Sequence, residues 1–222
     1  MNKYLTKAVS LLCAAVLAVS FSACGKEPVK ETNWGELCRR FDAAWFEALP
    51  EEMQSQYDNL ALGEAPEKTN PANITGSSTQ APVSAEEGTD AIAYAYGFDD
   101  AYLYDEELQM QGKLTSAIAA TQKENTLDYE ASVTGLFLEE PAKLSVVIAL
   151  SDAKTGEYLE AKTLDLQEDL GAEGKEQWTA SGSFEKTKKN GSYKIEMLAL
   201  VEPAQGLKAN CPLYISQEVK PA

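Results

Sequence analysis

The chain has no histidine among its 222 residues. That removes the commonest general base and the commonest transition-metal ligand, so a Ser-His-Asp or Cys-His mechanism is impossible within it. Cysteine is scarce too. Of four, Cys13 and Cys24 fall in the N-terminal apolar region, leaving Cys38 and Cys211, too few for a structural Cys₄ zinc site. Basic residues are outnumbered, 19 Lys and Arg against 35 Asp and Glu, for a formal charge of -16. Such a chain has no general attraction for phosphate backbones or anionic headgroups, so nucleic acid is excluded as an expected partner. No cofactor or metal is expected.

What is present begins with Lys3 and Lys7, an apolar run from Ala8 to Phe21, small Ser22 and Ala23, then Cys24 and Gly25. The run is shorter than the roughly 20 residues of a stable membrane span, which favours a cleaved segment over residues 1–23. This stretch resembles bacterial lipoprotein signal peptides, although Phe21 stands where an aliphatic residue is usual. The resemblance implies a diacylglycerol on the Cys24 sulfur, which becomes the first residue of a lipidated leader over 24–32. Two acyl chains hold a protein at a membrane where one does so marginally. The expectation is a chain tethered to the cell membrane on its extracytoplasmic face; the competing reading is an ordinary secretory signal with a chance cysteine.

Residues 33–61 read as an amphipathic helical segment. Asn33 with Glu36 three positions on is close to a capping box. Trp34, Leu37, Cys38, Phe41, Trp45 and Ala48 then recur at helical spacing. Pro50 opens a second helix, predicted from Pro50 to Leu60, with Met53, Tyr57 and Leu60 on its stripe. Large aromatic side chains gain roughly 1.5 to 3 kcal/mol each on burial. Trp34, Phe41 and Trp45 therefore dock somewhere: on the chain's own second domain, on a partner protein, or at a membrane interface. From 62 to 89 the composition turns to Pro, Ser, Thr, Gly and Asn without apolar periodicity, the signature of a disordered linker. Asn73-Ile74-Thr75 within it is assigned no role.

Residues 113–218 change period from helical to two. Leu127, Tyr129, Ala131 and Val133 alternate with polar residues, followed by Leu144 to Leu150, Tyr158 to Leu166, Trp178 to Phe184, Tyr193 to Val201 and Leu207 to Ile215. With a first strand near Leu114 to Thr121 this gives seven strands, the pattern of a two-sheet sandwich. Asn190-Gly191 marks a tight turn, and Pro212 suggests an edge. The stretch Asn190-Gly191-Ser192-Tyr193 resembles the start of strand F in immunoglobulin-like and fibronectin-like domains. That resemblance implies a tyrosine securing the corner and Trp178 in the core. The expected fold is mainly β: a seven-stranded immunoglobulin-like sandwich preceded by a short helical segment and a disordered linker. The disulfide of antibody domains is absent. Cys38 and Cys211 are candidates for a disulfide outside the cytoplasm, or for burial as small hydrophobes.

The remaining candidate site is the acidic, tyrosine-rich stretch 90–112. Tyr94, Tyr96, Tyr102 and Tyr104 with Asp99 and Asp100 suit a sugar stacked on rings and bonded to carboxylates, or a packed element that exposes its acids; the spacing fits no calcium loop. Abundant carboxylates do not make a glycosidase pair. Ser151-Asp152-Ala153-Lys154-Thr155-Gly156 carries Ser-x-x-Lys and Lys-Thr-Gly, but one lysine would have to serve as two residues that penicillin-binding enzymes keep on different elements. The expectation is a non-enzymatic, membrane-anchored binding or assembly module with an envelope or surface protein as partner. The alternative is a glycan- or cell-wall-binding protein, and a carboxylate-dependent hydrolase comes third.

Overall fold

The computed structural model describes residues 30–68, 91–136, 138, 140–164, 170–171, 176–185 and 187–221. Cys24, the apolar run before it and residues 69–89 of the expected linker lie outside the described residues. Two helices come first, α1 (Trp34–Ala48) and α2 (Glu51–Asp58). The strands are β1 (Ala93–Tyr104), β2 (Met110–Gln122), β3 (Leu127–Leu136), β4 (Lys143–Asp152), β5 (Tyr158–Leu164), β6 (Gln177–Phe184), β7 (Tyr193–Glu202), β8 (Lys208–Ala209), β9 (Leu213–Glu218) and β10 (Lys220–Pro221).

They form two antiparallel sheets. One has six strands in the order β10-β1-β2-β3-β6 with β8 also on β1, and the other has four in the order β5-β4-β7-β9. This exceeds the seven strands expected. The main addition is β1, which the acidic tyrosine segment supplies and which pairs with β2 over its whole length. The expected last strand is also divided. Pro212, with no amide proton, interrupts it, so β8 joins β1 in one sheet while β9 joins β7 in the other.

The inner faces of both sheets build the main core. Leu114, Ile118, Val133 and Phe184 come from one sheet, with Val146, Ile148, Ile195 and Leu213 from the other. The sheets close tightly where β1 passes β9: a Cβ on Gly97 would lie 2.4 Å from Ile215 Cγ2, so only glycine fits that crossing. At the turn before β7, the Tyr193 hydroxyl accepts the Lys188 amide at 2.6 Å. Its ring lies so near Gly191 that an added Cβ would sit 2.2 Å from the phenolic oxygen.

Strands β4 and β7 are buried on both faces, because the helices cover the outside of the four-stranded sheet. Trp34, Leu37, Cys38, Phe46, Met53 and Tyr57 form a second core with Val147, Ala149, Leu198 and Leu200. The helical segment therefore packs on the sandwich. Within α1, Asp42 has a non-helical backbone (φ -152°, ψ 77°). Its carboxylate accepts the Trp45 amide at 3.0 Å and the Thr163 hydroxyl at 2.7 Å, recapping the helix halfway along and tying it to β5. The kink rephases the apolar face, so Phe46 is buried while Ala48 is exposed. Pro50 precedes the second helix as its cap residue instead of opening it.

Of the two readings of Cys38 and Cys211, the structure has burial without a bridge. Both thiols are free and buried, Cys38 in the helix-side core and Cys211 in the core between the sheets. Burial pushes the Cys38 thiol up to about 12 and the Cys211 thiol up to about 11, so neither is a ready nucleophile.

Candidate functional site

A sandwich has two outer faces, and the helices cover one. The other, on the six-stranded sheet, is organised by strand register into ranks running across β1, β2, β3 and β6. Tyr94 aligns with Thr121, Asp128 and Ser183; Tyr96 with Ala119, Glu130 and Ser181; Phe98 with Ala117, Ser132 and Thr179; and Asp100 with Thr115, Thr134 and Gln177. Period-two alternation sends these residues outward while their neighbours, such as Ala95, Ile118 and Val133, face the core. The result is a wall of rings on β1 beside a floor of small and hydroxyl side chains. A trough of about 640 Å³ lies over that floor, bounded by Tyr96 on one side and by Thr179 and Ser181 on the other.

The predicted site residues divide by parity. Tyr94 and Phe98 are exposed, at 44% and 40%, and Tyr96 and Tyr102 are half-buried on the same outward side. Tyr104 is not with them. A register shift between Leu103 and Tyr104 turns its ring inward, and it is buried. Burial raises its phenol above the ordinary range.

The two aspartates diverge. Asp99 points to the closed seam between the sheets, where it accepts the Tyr214 amide at 3.0 Å and pairs with Lys68. Asp100 lies on the outward face, accepting the Thr115 hydroxyl at 2.6 Å and pairing with Lys113 at 3.0 Å. Asp128, at the end of the trough, is bound by Lys123 at 2.7 Å and by the Ser183 hydroxyl at 2.5 Å, which together hold its carboxyl below the usual range. The exposed Glu130 has no hydrogen bond or ion pair among the described residues. It and the floor hydroxyls are functional candidates missed by a reading along single strands, because only the cross-strand register assembles them. Among the described residues, no group of three or more His, Cys, Asp or Glu is placed to hold a metal ion.

The helical candidates lie elsewhere. Trp34 is fully buried, with edge contacts to Tyr158 and Tyr214 at ring-centroid distances of 6.3 and 6.2 Å. Those two hydroxyls donate to the fully buried Glu196 at 2.6 and 2.5 Å, and Lys194 pairs with the same carboxylate at 3.2 Å. Burial, and then the neighbouring Glu196 charge, raises both phenols far above their ordinary range. Phe41 and Trp45 are partly buried against the same core, so the helix face is engaged by the chain's own sheet. Lys154 sits in the β4–β5 turn, where Asp152 Oδ1 accepts the amides of Lys154 and Thr155 at 2.8 and 2.9 Å. That is turn geometry.

No protein-family model matches the chain, and a search of curated proteins finds no match.

Proposed function

We propose that the chain is a membrane-anchored, extracytoplasmic, non-enzymatic recognition module of immunoglobulin-like or fibronectin-like type, and that it meets its partner with the outer face of the six-stranded sheet. The observation that carries this reading is the contrast between the two outer faces. One is closed by the chain's own helices, while the other exposes Tyr94 and Phe98 along β1 and has an open trough lined by Tyr96. Exposed aromatic rows of this kind mark interaction surfaces.

The fold assignment draws support from the order β2-β3-β6 facing β5-β4-β7-β9 and from the Tyr193 hydroxyl bonded back to Lys188, as at a tyrosine corner. The anchor rests on the signal-like sequence ending at Cys24. The acids of the tyrosine segment are held by Lys68, Lys113 and Thr115, an arrangement that suits binding better than proton transfer.

Two measurements test the reading. Mass analysis of the membrane-extracted protein is expected to show a diacylglyceryl-modified Cys24 at the amino terminus; an unmodified Cys24 with residues 1–23 still attached refutes the anchor. A photo-reactive residue placed at Ala117, in the trough, is expected to cross-link a specific partner in intact cells, and the same probe at exposed Glu52 is expected not to. Equal labelling from both positions refutes the face.

A further inference from the structure

From the outward sheet face we infer that the ligand is a chain of pyranose sugars free of acidic groups, lying along the Tyr94-Tyr96-Phe98 wall. This rests on the reading of that face as the recognition surface.

The inference has three parts. Alternate residues on a strand stand about 6.7 Å apart, so the three rings span about 13 Å, a length suited to a few linked sugar rings and not to a single small metabolite. The apolar faces of pyranose rings match exposed aromatic faces, and the trough beside Tyr96, about 640 Å³, has room for part of such a chain. The floor of Ala117, Ala119, Ser132, Thr179 and Ser181 offers small contacts and hydroxyls; a protein interface would place large apolar or aromatic anchors at its centre.

Charge then narrows the class. Asp100 is matched by Lys113 and Asp128 by Lys123, which leaves Glu130 as the trough's carboxylate without an ion pair among the described residues, able with the floor hydroxyls to accept from ligand hydroxyls. A lone carboxylate in the floor repels uronic, sulfated or phosphorylated chains, and a single charge is too little to hold a basic peptide.

The test uses the detergent-extracted full-length protein on an array of neutral, N-acetylated and acidic glycans, followed by titration with cellohexaose, chitohexaose and hexagalacturonate. Binding to a neutral or N-acetylated chain is expected, with hexagalacturonate inert. Tyr96→Ala and Phe98→Ala are each expected to weaken binding about tenfold, and Ala117→Trp is expected to abolish it by filling the trough. Unchanged thermal melts separate these effects from misfolding, since Tyr96, Phe98 and Ala117 all point away from the core.

Silence across the array, a preference for acidic chains, or affinity unchanged by Tyr96→Ala and Phe98→Ala overturns the glycan assignment. If the Ala117 cross-link then yields a stoichiometric protein, the recognition face stands and the ligand class falls. If the Ala117 and Glu52 probes label equally, the face falls too.

Discussion

Replacing Trp34 with alanine tests whether the helical pair is an integral layer of the fold. The indole is fully buried between the rings of Tyr158 and Tyr214. Truncating a buried Trp or Phe costs about 3 to 5 kcal/mol through lost burial and the cavity left behind. One feature pulls the other way. The Trp34 Nε1 is buried without a hydrogen-bond partner among the described residues, and removing an unsatisfied buried donor returns about 1 to 3 kcal/mol. The expected loss is therefore about 2 kcal/mol, out of a typical domain stability of about 5 to 15 kcal/mol. Urea titration reads the total. Hydrogen exchange reads its location: amides of α1 and α2 are expected to lose protection first, while those of β4 and β7 keep theirs through the core between the sheets. A Tyr94→Ala control is expected to stay within about 0.5 kcal/mol of the parent, because that ring is on the surface. A Trp34→Ala loss below about 1 kcal/mol with the helix amides still protected would refute the docked arrangement.

Other predictions concern local features. Gly191→Ala is expected to lower stability by about 1 to 3 kcal/mol in thermal or urea unfolding, because its Cβ would enter the Tyr193 ring; a neutral result removes the corner geometry. Asp42 is held below its ordinary 3.8 first by the Thr163 hydroxyl and then by the Trp45 amide. Its contribution is therefore full above the unfolded carboxylate value and is lost as pH falls through the lower folded one. Acid titration by circular dichroism between about pH 4 and 2 is expected to be shallower for Asp42→Asn than for the parent, and identical slopes count against the cap. Cys38 and Cys211 are expected to resist a thiol reagent in the native protein and to react together in denaturant without a reductant. Protection that persists in denaturant would mean that they are bridged.

The strand pattern was readable because period-two alternation holds through β2, β3 and β6, each with one face in the core. Strands β4 and β7 are legible at the same places, but alternation does not reveal that both their faces are covered. Leu144 to Leu150 is nearly continuously apolar, which signals a strand covered on both sides, and the cover is the helical pair. An unbroken helical period carries the stripe from Trp45 to Ala48 and passes over Phe46; the kink at Asp42 breaks that period, and its cause, a carboxylate held by Thr163, is a long-range contact. Alternation groups Tyr104 with the other tyrosines, because a register shift cannot be seen in one strand alone. The trough is the clearest case. Ala117, Ser132 and Thr179 are unremarkable in sequence and become a floor only through the register that aligns them with Phe98.

Why the helices settle on one sheet face and leave the other open follows from the polar chemistry beneath them. The face under α1 and α2 presents Val147, Leu198 and Leu200, which favour any apolar cover equally. Among them on β7, however, Glu196 is fully buried and accepts from both Tyr158 and Tyr214. A buried carboxylate is stable only with its partners in place, and removing one partner costs about 3 to 5 kcal/mol. The two hydroxyl bonds fix the tyrosine rings, the rings fix the slot for Trp34, and Arg40 adds a bond to the Tyr158 carbonyl at 2.8 Å. The face that stays open has no such slot. Asp100 and Asp128 there are matched by surface lysines, Glu130 is left without an ion pair among the described residues, and the floor is too small-chained to hold a helix. The two sides of the sandwich therefore differ in kind: one is built to hold the chain's own helices in a single register, and the other to remain accessible.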